Sequence, residues 1–213
     1  MESISATPSN GRTVVEVRGQ VIAPGFIDLH FHGQDAENYA FKAHDGVTTA
    51  LELEIGVSPL ASWYAERTGK ALIHFGASSG HVLAPMKVMH DPGDFLPSGD
   101  AAHRVATDEE QLSILNVVRQ GLDEGAVGSG FGIAYVPTAG RAEILRLFQL
   151  AGDRHVPVFV HYAGIGGLGW SDYTASRGHR RRRGRTPGLQ GDVIGYWLAR
   201  IADRRRPNPL PEN

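Results

Sequence analysis

The chain has 213 residues, no cysteine and a formal net charge of −2. That length supports one ordinary domain with a real core, and the missing cysteines exclude disulfides and thiolate metal ligands and fit a reducing, cytoplasmic setting. No apolar run approaches the roughly 18 residues of a membrane span, and MESISATPSN lacks the basic-then-apolar pattern of a secretory leader, so neither is expected.

Residues 13–22, TVVEVRGQVI, alternate and are β-branched, which predicts short strands. From there an apolar strand is repeatedly followed by an amphipathic stretch. GFIDLHFH is the first strand of the series, AENYAFKAHDG a short helix closed by Gly46, and VTTALELEI the second strand. SPLASWYAERTG reads as a helix with Ser58 at its N-cap and Pro59 in its first turn, and ALIHFGAS as the third strand. A glycine- and proline-bearing excursion covers about residues 78–106. TDEEQLSILNVVRQGLDEG then carries the best helix signals: Thr107 and Glu110 form a capping box, Leu112, Leu115, Val118 and Leu122 recur at helical spacing, and Gly125 stops it. AVGSGFGIAYV is the fourth strand with its loop. RAEILRLFQLAGDRH is a helix with Ile144, Leu147, Phe148 and Ala151 on one face, and VPVFVHY is the fifth strand. The alternation predicts an α/β fold with a parallel sheet, either open or closed into a barrel.

The chemistry lies at the strand ends. His30 and His32 are two residues apart on a strand, so their imidazoles project to one face and can share a divalent cation. An H-x-H pair by itself says little, because histidine is often just a satisfied, partly buried residue. Asp28 strengthens the reading: it lies on the same face of an otherwise apolar strand, where a buried acid needs a partner. His161 ends the fifth strand. In a parallel barrel all strand C-termini open on one face, so His30, His32 and His161 could converge there.

VIAPGFIDLHFHG resembles the first-strand signature of the amidohydrolase superfamily, metal-dependent hydrolases on a (β/α)8 barrel. GVTTALELEIGVSP, GASSGHVLAPMKVMHDPG, EGAVGSGFGIAYVPTA and VPVFVHYAGIGG resemble successive segments of its D-aminoacylase branch, the N-acyl-D-amino-acid deacylases. The match runs from about Gly11 to Gly167. The resemblance implies an incomplete TIM-type barrel of about five βα units over 23–167, with 1–22 as a remnant of an N-terminal β-domain. It implies one or two Zn2+ ions, with His30 and His32 binding the more buried ion and His161 the catalytic zinc. Tyr135 would hold the substrate, and His81 matches a Gly-His pair assigned to the substrate side. The branch commonly has a cysteine near the end of the second strand, where gapless matching puts Ile55. Glu54, or else Glu52, is the carboxylate expected in its place, although strict alternation turns Glu54 away if Ile55 faces inward.

The implied reaction is removal of the acyl group from an N-acyl-D-amino acid by a zinc-activated water, a hydrolase acting on a non-peptide amide bond. A cyclic amidase or dipeptidase with the same metal chemistry is the alternative enzyme. In this family the acid/base is an aspartate on an eighth strand, so no catalytic acid is assigned in this chain. An inactive barrel fragment without that aspartate and the last metal histidine is the alternative outside enzymes.

Composition breaks near Leu168. From there on stand ten arginines and four acids, a balance of +6, whereas the first 167 residues balance at −8. Residues 168–213 are expected to be an irregular basic tail outside the resemblance, truncating the barrel. A frameshift is one account: GC-rich codons for RGHRRRR, moved by one nucleotide, read AAIAAA, the alanine-rich helix that a barrel calls for after its fifth strand. Arg180 to Arg183 with Arg185 form a positive patch of the kind that binds phosphate backbones. No nucleic-acid motif or aromatic platform accompanies it, so no specific nucleic-acid partner is expected, only a small N-acyl amino acid.

Overall fold

The computed structural model describes residues 11–161 together with 194–197. Five parallel strands run in chain order through one sheet: β1 (Phe26–Asp28), β2 (Val47–Val57), β3 (His74–Gly80), β4 (Ser129–Gly132) and β5 (Val158–His161). Helices α1 (Ala36–His44), α2 (Leu60–Arg67), α3 (Leu83–Val88), α4 (Asp100–His103), α5 (Asp108–Asp123) and α6 (Arg141–Asp153) form the connections. The sheet curls into a half-barrel, the incomplete TIM-type arrangement expected from the repeated βα pattern. Among the described residues no helix is long and apolar enough to cross a membrane.

Most boundaries follow from local chemistry. The capping box of α5 is present in both directions, Glu110 N–H to Thr107 Oγ1 and Thr107 N–H to Glu110 Oε2. Arg104 grips the same Glu110 carboxylate with two N–H groups, and that contact and the Thr107 N–H hold its pKa down to about 2. Gly46 and Gly125 take positive φ at the helix ends, where a side chain would be strained. The apolar core lies between the sheet and α3 to α6, where Val82, Ile114, Val118, Phe131, Leu147 and Val160 are almost fully enclosed. Val158 and Val160 face this layer, so Phe159 and His161 face the barrel interior.

Several expectations are corrected. Residues 13–22 form no strand; Val14, Val15, Val21 and Ile22 are exposed, and no described segment pairs with them. Ser58 does not cap α2. Pro59 occupies the N-cap, and the Glu124 carboxylate, from the end of α5, accepts the Leu60 and Ala61 N–H groups at 3.0 and 2.9 Å. On α5 the inward residues are Ile114, Val118 and Gly121, and Leu112 is turned out. The excursion over 78–106 contains α3 and α4. Within the stretch expected to be irregular, Ile194–Trp197 forms β6, antiparallel to β5. β5 offers that segment an open edge to pair with. The rest of the arginine-rich tail, its proposed frameshift, and the match from 162 to Gly167 lie outside the described residues.

Candidate metal centre

His30 and His32 follow directly on β1. His30 N–H is fixed by the Asp28 carboxylate at 3.0 Å, and Phe31 N–H by Leu51 O at 3.1 Å, so the segment stays extended along β2 and both imidazoles fall on one side. Their rings meet edge to face at 4.7 Å, with the two Nε2 atoms 2.8 Å apart. Asp28 has its partner in Lys42 Nζ at 2.6 Å. Burial works to raise that carboxyl, and the Lys42 and His30 hydrogen bonds overcome it and leave it lowered.

β2 supplies both carboxylates. Glu54 is 3% exposed, and its Oε1 lies 3.4 Å from His30 Nε2 and 3.6 Å from His32 Nε2. Its Oε2 accepts a hydrogen bond from His161 Nδ1 on β5. Glu52 Oε2 lies 2.5 Å from His32 Nδ1. The alternation problem is resolved because Ile55 belongs to the core on the helix side, which leaves Glu52 and Glu54 facing inward. Burial tends to raise the Glu54 carboxyl, but hydrogen bonds from His32 and His161 bring its pKa below the usual value. Hydrogen bonds to Glu52 and then to Glu54 push the His32 imidazole up to about 9.

Glu54 reaches β5 because β2 leans inward over its neighbours. The β2–β3 register shifts between Glu52 and Val57. Gly130 on β4 accommodates the displaced backbone: a Cβ there would stand 2.3 Å from Leu53 O and 2.7 Å from Glu54 O. Ser78 Oγ donates to Leu53 O at 2.5 Å and holds it in place. Gly130→Ala should therefore push Glu54 off the histidines and weaken metal binding by roughly ten- to a hundredfold, the range for lost ligand support. Equilibrium dialysis with cobalt would measure it, alongside circular dichroism to check the fold.

The structure brings His30, His32 and Glu54 into one group whose donor atoms lie within 4.8 Å of one another. Two ligands at about 2.1 Å from a tetrahedral ion stand about 3.4 Å apart, so separations of 2.8, 3.4 and 3.6 Å and an N, N, O donor set fit a divalent cation. His161 adjoins this group through the other Glu54 oxygen. Tyr135 places its ring 5.0 Å from that of His161, beside the cluster. His81 is not brought there. It is fully buried against Phe131, with Nε2 2.8 Å from Glu143 Oε1. Sequence reasoning missed Lys42, Glu143 and Phe95, whose ring lies 5.3 Å from that of His32. Only the Asp-Pro-Gly turn at 91–93 hinted at the loop that carries Phe95.

No family model matches the chain. It is 32% identical to a D-aminoacylase of Alcaligenes xylosoxydans xylosoxydans, over 60% of this chain and 30% of that protein. It is 27% identical to an N-acyl-D-glutamate deacylase of the same organism, over 71% of this chain and 35% of that protein. The chain thus spans about a third of the length of these relatives. In fold it matches a crystal structure of a D-aminoacylase that defines a subset of amidohydrolases, with a TM-score of 0.52 and 22% identity, over 66% of this chain and 34% of that one. It also matches a D-aminoacylase with a binuclear metal centre, with a TM-score of 0.52 and 20% identity, over the same shares. These likenesses bear out the resemblance to the D-aminoacylases and their deacylase relatives.

Proposed function

We propose that this chain carries the metal-binding part of an amidohydrolase site that removes the acyl group from N-acyl-D-amino acids. The observation that carries the reading is the convergence of two imidazoles from the first strand and one buried carboxylate from the second on a point sized for a single divalent ion. His30 and His32 would hold it through Nε2, and Glu54 through Oε1. His161 and the second Glu54 oxygen, now in hydrogen-bond contact with each other, would be the residues to hold a second ion. Zinc bound there supplies a Lewis acid for the amide carbonyl and lowers the pKa of water. Glu52 accepts the His32 Nδ1 proton, which fixes the ring's orientation and leaves Nε2 for the metal. Tyr135, whose ring lies 5.0 Å from that of His161, would contact substrate. Hydrolysis further needs a general base, which the resemblance puts on an eighth strand, so metal binding and turnover are separate expectations.

The test is metal stoichiometry of the full chain by elemental analysis, with a panel of N-acyl-D-amino acids assayed in parallel. One or two equivalents of zinc, lost in His30→Ala with His32→Ala, support the reading. A chain that takes up no divalent metal overturns it. Turnover on the panel decides between an active site and the inactive-fragment alternative, and preference for cyclic amides or dipeptides would favour the other enzyme classes.

The proton on His32 has a measurable consequence. With its pKa near 9, the imidazole is charged at pH 7 and must lose a proton to ligate. Metal affinity should rise with pH up to about 9 and flatten above it. Calorimetry in buffers of different ionisation enthalpy at pH 7 should record close to one proton released per ion. Without metal the sign is opposite: the raised pKa stabilises the fold below the ordinary histidine range, and that stabilisation fades as pH rises through about 9.

A further inference from the structure

We infer that Phe95 is a specificity-determining residue, forming an apolar wall beside the metal centre that selects substrates with an aryl or branched alkyl group on the His32 side. This rests on the metal-site reading above and goes beyond it in naming the chemistry of the ligand.

The loop between α3 and α4 is built to hold one ring in place. Both oxygens of the Asp91 carboxylate are used: Oδ1 accepts the Gly93 and Ser98 N–H groups at 2.9 Å each, and Oδ2 those of Gly99 and Ala101 at 2.8 and 3.0 Å. Gly93 permits the tight closure, since a Cβ there would meet Leu96 O at 2.1 Å. Leu96 packs against the core and anchors the loop. Its neighbour Phe95 does the reverse. It is 48% exposed and stands edge to face against His32, with ring centroids 5.3 Å apart. A half-exposed phenyl on a loop this firmly tied has kept an apolar face in water instead of folding it onto the core. The imidazole it borders is itself about one third exposed, so a ligand reaching the metal passes along that face. A charged or small substituent gains nothing from such a surface, whereas a ring or branched chain buries area against it.

The experiment uses the full chain loaded with cobalt and two metal-chelating probes of equal charge, acetohydroxamate and benzohydroxamate, titrated by calorimetry or by the cobalt absorption spectrum. The ratio of their affinities should favour benzohydroxamate in the native chain and fall about three- to tenfold in Phe95→Ala, the scale of one aromatic contact. Phe95→Leu should keep part of the preference. Cobalt stoichiometry should not change in either variant, because Phe95 donates no ligand. Cobalt bound normally with an unchanged ratio in Phe95→Ala overturns this inference alone. A native chain that binds no cobalt overturns it through the site on which it rests.

Discussion

Replacing Glu54 by glutamine should lower affinity for zinc or cobalt by more than about a hundredfold, while Glu52→Gln should cost only about ten- to a hundredfold, the range for groups that orient a ligand. The two residues are two apart on one strand, both are buried, and both touch His32. They differ in which nitrogen they meet. Glu52 meets Nδ1, so its loss frees the ring to rotate but leaves every donor atom in the set. Glu54 meets both Nε2 atoms through one oxygen and His161 through the other, so its loss removes a negative donor and uncouples β5 from β1. Glutamine keeps the shape and removes the charge, which separates donor strength from packing. Competition titration against a chelator at constant pH makes the comparison. A greater loss in Glu52→Gln than in Glu54→Gln would reverse the assignment of ligand and orienting group.

Locally encoded features were legible in the sequence. Thr107 and Glu110 sit three residues apart and find each other, and Gly46 and Gly125 stop helices where the pattern placed them. The histidine pair was visible because a strand's period of two aligns His30 with His32 without help from the rest of the fold. Features set by distant residues were not legible. Ser58 looked like a cap, but a carboxylate more than 60 residues away took its place at the α2 N-terminus. The strands read at 13–22 needed partners that the described residues do not supply. Whether Glu52 and Glu54 face the histidines at all turns on which way Ile55 faces, and the reach of Glu54 depends on a register shift in β2 accommodated by Gly130 on another strand. Phe95 gave no periodic signal, because its position comes from four backbone donors gathered around Asp91.

The His81–Glu143 pair carries the largest expected stability effect. His81 is 0% exposed and Glu143 3% exposed, and the pair joins the end of β3 to the first turn of α6. His81 N–H also donates to Gly130 O at 2.8 Å, so the same residue ties three elements. Among the described residues, its Nδ1 has no partner. In Glu143→Ala the imidazole would therefore be buried with neither ring nitrogen satisfied. An orphaned buried polar group costs about 1–3 kcal/mol, and with both ring nitrogens left unsatisfied a loss near the top of that range, about 3 kcal/mol, is expected. Glu143→Gln keeps an acceptor and should lose about 1 kcal/mol. Replacing both residues by leucine removes the polar demand altogether and should recover much of the stability lost in Glu143→Ala. Urea unfolding of the full-length variants measures all three. A cost below about 0.5 kcal/mol for Glu143→Ala would mean that water reaches the imidazole. The loop between β4 and α6 carries Tyr135 and begins and ends at elements this pair fastens. If the pair holds that loop, Glu143→Ala should also loosen the contact between Tyr135 and His161, detectable as faster amide hydrogen exchange over 133–140 while α5 stays protected.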